Sequence, residues 1–151
     1  MHSGPPRIVY KIMTAKEFLR QYEHAVRRIA RLTEEYEQEQ LLIDAVRSLS
    51  DNDGMPHGSG VSKPTEDKAV RLADKALRLV DARLDAIDAR QKVFDLIDRI
   101  DGIEGDILFE RYINLHKWEE ICILVHYSWN GVHQAHRRAL RMVQEILDGR
   151  V

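Results

Sequence analysis

Asn130, Gln134, Arg137 and Arg141 follow one another at steps of four, three and four, which sets them in one line along a helix. Trp129, His133 and Arg138 stand beside that line, and Val132 and Ala135 define the opposite face. Primary amides can bond bidentately to an adenine edge, while guanidinium groups read guanine or hold phosphate. The residues near the helix start, Asn130, His133 and Gln134, are therefore expected to meet base edges. Arg137, Arg138 and Arg141 are expected to clamp phosphates. Ser128 precedes this helix, and its hydroxyl suits the exposed amides of a first turn, so the helix is expected to begin at Trp129. A solvated face on a protein-binding bundle would show the same residue types, and that alternative stays open. Gly131 costs about 0.5 to 1 kcal/mol relative to alanine inside a helix, so it implies close approach to a partner or local weakness.

Other chemistries find little support. Cys122, His126, His133 and His136 contain soft and imidazole ligands, yet their spacing is not that of a zinc finger. Cys122 is expected in the core and His133 outside it, so no metal site is expected. No nucleophile stands with a base, and the Gly58-Ser59-Gly60 run is too short to cradle phosphate, so neither catalysis nor a cofactor is expected.

The elements that position these residues lie in Trp118–Leu140, WEEICILVHYSWNGVHQAHRRAL. Its apolar spacing predicts a helix, a tight turn and a second helix. Ile121 and Val125 face inward from the first helix, Tyr127 plugs the corner, and Val132 and Ala135 face inward from the second. Cys122 supplies a small side chain where the helices cross. Glu119 and Glu120 suit the positive end of the first helix. His126 occupies a turn position where glycine is commonest, and histidine tolerates a left-handed backbone better than most residues. Asp101-Gly102 opens this module, and a preceding short helix carries Ile107, Leu108, Tyr112 and Ile113. One small core is expected from Leu108, Tyr112, Trp118, Ile121, Val125, Tyr127, Val132, Ala135 and Leu140. In a module of about 45 residues such a core is marginal without docking or dimerisation.

The chain of 151 residues carries a net charge of −2, against which residues 111–141 hold five Lys and Arg side chains and two Glu. Phosphate attraction is thereby confined to one end of the sequence. Charged residues make up 32% and hydrophobic ones 44%, a balance of a soluble, helix-rich protein. No apolar run approaches the roughly 20 residues of a membrane span. The first residues lack the apolar core of a signal peptide, so a cytoplasmic location is expected. The single cysteine excludes an internal disulfide.

Thr14, three residues before Glu17, predicts a capping box at the start of a long helix. Along it Tyr22, Ile29, Tyr36 and Ile43 recur every seven residues, with Phe18, Ala25, Leu32 and Val46 as companions and Glu39 as an interruption. Glycine, proline and small polar residues predict a loop over 49–64. A second helix is expected from an N-cap at Thr65, its seam formed by Val70, Leu77 and Leu84 alternating with Ala73, Val80, Ile87 and Phe94. Two such helices are expected to fold into an antiparallel, coiled-coil-like hairpin with Gln91 near the Tyr22 layer. The expected fold is all-α: an extension over 1–13, the hairpin over 14–100, and a three-helix helix-turn-helix domain over 101–151.

WEEI at 118–121, Tyr127-Ser128 at the turn, Val132, Gln134 and RRAL at 137–140 resemble the fourth conserved region of bacterial sigma factors. The likeness runs from Ile107 to Val143. Sigma factors carry Arg and Glu where this chain has Trp129, Asn130 and Gly131, which puts reading of the standard promoter element in question. MTAKEFL at 13–19, GMPHGSGVSKPT at 54–65 and the C-terminal module together resemble a family of small phage and prophage proteins of Gram-positive bacteria, similar to late transcriptional activators of the ArpU and RinA kind. Members often begin at the equivalent of Met13, which implies that residues 1–12 are an extension or the product of an upstream start. The resemblance implies a DNA-binding transcriptional regulator in a bacterial cytoplasm, with double-stranded DNA, further copies of itself and host RNA polymerase as partners. A DNA-recognition subunit of phage packaging machinery and a sigma-like polymerase-binding protein are the alternatives.

Overall fold

The structure, a computed structural model, describes residues 13–51 and 63–149. Among these it is all-helical and without strands: α1 (Ala15–Leu19), α2 (Gln21–Asp51), α3 (Lys63–Ile97), α4 (Gly102–Tyr112), α5 (Trp118–Val125) and α6 (Trp129–Leu147). The expectations for residues 1–12 and for the middle of the loop, 52–62, lie outside the described residues. None of the described helices is long and apolar enough to cross a membrane. The chain forms two compact units, residues 22–91 and residues 13–21 with 92–149.

The expected capping box is present, with the Thr14 hydroxyl accepting from the Glu17 amide at 3.2 Å. The helix it starts is short, however, because the chain tightens at Arg20, whose amide donates to both Lys16 and Phe18 carbonyls. Ala15 and Leu19 are buried, and the Ala15 amide donates to Gln144 Oε1 at 2.9 Å. Thus α1 is tied to α6.

In residues 22–91, two ion pairs join α2 to α3: Arg28 to Asp85 at 3.5 Å and Glu39 to Lys75 at 3.2 Å. Numbers rise on one helix as they fall on the other, so the paired stretches run in opposite directions. The same offset sets Tyr22 level with Gln91, although Gln91 is exposed. Glu39, which breaks the apolar series, is thus accommodated by a partner. On α2, Tyr22, Ala25, Ile29, Leu32 and Tyr36 are half-buried and Ile43 is buried, as their spacing predicts, whereas Val46 is exposed.

The seam expected on α3 is corrected by the structure. Leu79, Ala82 and Ala86 are buried, with Leu72, Ala76 and Ala89 half-buried, while Val70, Leu77, Val80, Leu84 and Ile87 are exposed. Large side chains on α2 are matched by a stripe dominated by alanine, since facing layers fill space best when bulky residues meet small ones. Phe94 joins neither stripe and packs edge-on to Phe109, ring centroids 6.3 Å apart. Thr65 is not the N-cap either: α3 begins at Lys63, and Pro64 fits its first turn because the missing N–H would be unbonded there.

Residues 13–21 and 92–149 hold two clusters where the sequence suggests one small core. Ile107, Ile121, Val132 and Ala135 form the first, with Ile103, Trp118, Cys122 and Val125 packed against it. The second gathers Ala15 and Leu19 of α1, Val93, Leu96, Ile97 and Ile100, Leu108, Tyr112 and Ile113, and Ala139 and Val143 of α6, with Leu140 packed against it. Helix α6 therefore buries its inner face in two separate places. Gly102 takes a positive φ of 78°, which accounts for the break at Asp101-Gly102. A Cβ on Gly105 would lie 2.0 Å from the Ile100 carbonyl oxygen, so only glycine lets α4 pass the end of α3 so closely.

Candidate nucleic-acid interface

Three residues, His126, Tyr127 and Ser128, connect α5 to α6. Lys117 starts α5 with its amide donating to the Glu120 carboxylate at 3.4 Å, and Glu119 and Glu120 lie in the first turn as expected. His126 ends α5 in the left-handed region, φ 58° and ψ 38°, its amide donating to the Cys122 carbonyl. The chain then reverses, and Ser128, extended at φ −67° and ψ 161°, accepts from the Gly131 amide at 3.1 Å. Helix α6 begins at Trp129, as its cap predicts. A Cβ on Gly131 would stand 3.1 Å from the Ser128 hydroxyl oxygen, so glycine relieves crowding beneath the cap. Tyr127 does not plug the corner and is 45% exposed. Val132, Ile121 and Ala135 fill that space without it.

Trp129, Asn130, Gln134, Arg137 and Arg141 are exposed as the helical spacing requires. Among the described residues, Arg137 and Arg141 form no ion pair. Arg138 is exposed but held by Glu104, Nε to Oε1 at 3.0 Å. The Glu104 carboxyl sits below the ordinary carboxylate range because its own backbone amide and then the Arg138 guanidinium hydrogen-bond to it. Arg111 is likewise engaged: it donates to the His116 carbonyl at 2.9 Å and lies 4.9 Å from the centroid of the Trp118 ring. Of the local cationic excess, the face of α6 presents Arg137 and Arg141 most openly.

His133 does not project outward as expected. Its ring packs between Trp118, 4.8 Å away between centroids, and Trp129, 4.4 Å away. Its Nε2 is buried with no hydrogen-bond partner among the described residues. Two tryptophans from different helices close over it, a contact that helical spacing alone does not reveal. His136, one turn along, is buried, hydrogen-bonds the Tyr112 hydroxyl through Nε2 at 2.8 Å, and meets Trp118 edge-on at 4.6 Å. Burial, reinforced by the nearby cations of Lys16, His133, Arg111 and Arg137, lowers its pKa to about 4. The ring is therefore neutral at pH 7. The one sequence signal for His136 as a core residue is its place four residues after the inward Val132 and beside the inward Ala135.

Together these rings form a packed ladder, Trp129, His133, Trp118, His136 and Tyr112, running from the open start of α6 into the interior. It holds the first turns of α6 against α4 and α5 through flat, stiff side chains. Cys122 is half-buried against the Ile121 cluster. Among the described residues, no three His, Cys, Asp or Glu side chains are grouped so as to hold a metal ion. No protein-family model, curated protein or solved structure matches the chain.

Proposed function

We propose that the chain is a DNA-binding transcriptional regulator of phage origin that reads duplex DNA with α6. In this reading α4, α5 and α6 act as a helix-turn-helix domain, and α2 with α3 forms a helical hairpin. The observation that carries the reading is the open, capped start of α6. Asn130, Gln134, Arg137 and Arg141 lie there in one exposed line, backed by the buried Val132, Ala135, His136, Ala139 and Val143. A helix that presents amides near its N-terminus and guanidinium groups one to three turns later suits base contacts in a major groove flanked by phosphate contacts. The likeness of residues 107–143 to sigma region four, and of most of the chain to phage late activators, supports the same reading.

Asn130 and Gln134 are the proposed base readers, Trp129 flanks them, and Ser128 closes the helix start. Arg137 and Arg141 contact phosphate, with Arg138 doing so on release from Glu104. His133 positions Trp129 in place of reading a base. Fragments of a phage genome selected for binding are expected to be enriched at a late promoter. Enrichment at a packaging site would favour the packaging subunit instead, and polymerase capture without a footprint would favour a polymerase-binding protein. On a selected site, Gln134→Ala is expected to lose about 1–3 kcal/mol of discrimination at one base pair. Arg137→Ala should weaken binding to every sequence and reduce the salt slope by about 1. Unchanged binding in both variants would show that α6 is not the reading helix.

A further inference from the structure

The exposed stripe on α3 repeats with the regularity of a buried one. Leu77, Leu84 and Ile87 are 64%, 56% and 64% exposed, while Leu79 and Ala82, on the face toward α2, are 7% and 1% exposed. Leu77 and Leu79 are two residues apart, about 200° around the helix, so the two stripes lie on opposite faces. Val70, Leu77 and Leu84 mark heptad position a and Ala73, Val80 and Ile87 position d, the spacing of a coiled-coil seam. So long an apolar line is more than a monomer ordinarily leaves to water.

The charges beside the stripe say what covers it. In this register Asp74, Asp81 and Asp88 all fall at position e, and Arg83 falls at position g; all four are exposed. When two such helices pair in parallel, position g of one meets position e of the next heptad on the other, which brings Arg83 to Asp88 of a second copy twice over. When they pair antiparallel, e faces e, and a row of aspartates confronts its own image. We propose that a second copy of this chain docks on the outer face of α3, parallel and in register, about a two-fold axis along the helix. Because α3 is already ordered by its packing on α2, the pair forms without the cost of nucleating a helix. This inference rests on residues 70–88 alone and is independent of the reading of α6.

Sedimentation of the full chain at tens of micromolar is expected to give twice the chain mass. Leu77→Asp with Leu84→Asp should give the monomer with unchanged helical circular dichroism, since both side chains are exposed within one copy. Arg83→Asp should weaken association at least tenfold, and adding Asp88→Arg should restore it. In a Cys122→Ala background, Leu77→Cys and Leu84→Cys should each form a covalent dimer on oxidation, because only parallel, in-register helices bring both positions face to face. A monomeric or larger native mass, a dimer that survives the double aspartate variant, or failure of either cross-link would overturn the proposal.

Discussion

Residues 92–149 bury Ile107, Leu108, Ile121, Val132, Ala135, Ala139 and Val143 completely, whereas among the described residues of 22–91 only Ile43, Leu79, Ala82 and Ala86 are buried and larger aliphatics face water. The first unit can do this because helices meet from several sides, so α6 finds one cluster near its start and another along its second half. In the second unit each described helix has one neighbouring helix to cover it. A helix with one partner can hide one stripe, and α3 carries two. Internal packing draws on one face of α3, and the more apolar face is the one left available to the proposed second copy.

The contrast breaks most sharply at Gly105, where the chain leaves no room for a side chain. Gly105→Ala is expected to destabilise the protein by about 3 kcal/mol or more in denaturant titration, since the obstacle is a backbone carbonyl that cannot step aside. A cost below about 1 kcal/mol would mean that α4 and the end of α3 are not closely fitted. A second test uses His136, whose folded pKa of about 4 lies below the ordinary histidine value of 6.5. Below pH 6.5 the unfolded chain takes up a proton that the folded one refuses. Stability is therefore full above pH 6.5, falls as pH drops, and levels near pH 4. The expected total is up to about 3 kcal/mol, and His136→Phe should remove most of that slope in unfolding measured across pH. The smallest effect is expected in the other unit. Lys75→Ala breaks the ion pair with Glu39 but should cost less than about 1 kcal/mol, and its loss should be hard to detect in high salt.

Local chemistry made part of the candidate interface legible before any tertiary contact was known. Ser128 marks the start of α6, His126 accepts the left-handed corner, and Val132 and Ala135 point inward, each a matter of a few neighbouring residues. His133 and Tyr127 were not legible in the same way. One ring is enclosed by tryptophans from α5 and α6, and the other is left outside because aliphatic side chains already fill the corner. Arg138 shows the same limit, since its carboxylate partner stands 34 residues away on α4.

Hydrogen-bonding caps and helical periodicity act over one or two turns, so the helices, the caps at Thr14 and Ser128 and the apolar line of heptad spacing on α3 follow from the local sequence. Only tertiary structure decided which face of α3 meets α2. Hydrophobicity alone selects the line of Val70, Leu77, Val80, Leu84 and Ile87, but a helix carrying Tyr22, Ile29, Tyr36 and Ile43 is better matched by the smaller residues Ala76, Ala82, Ala86 and Ala89. Volume, settled between two helices at once, overrode the stronger stripe.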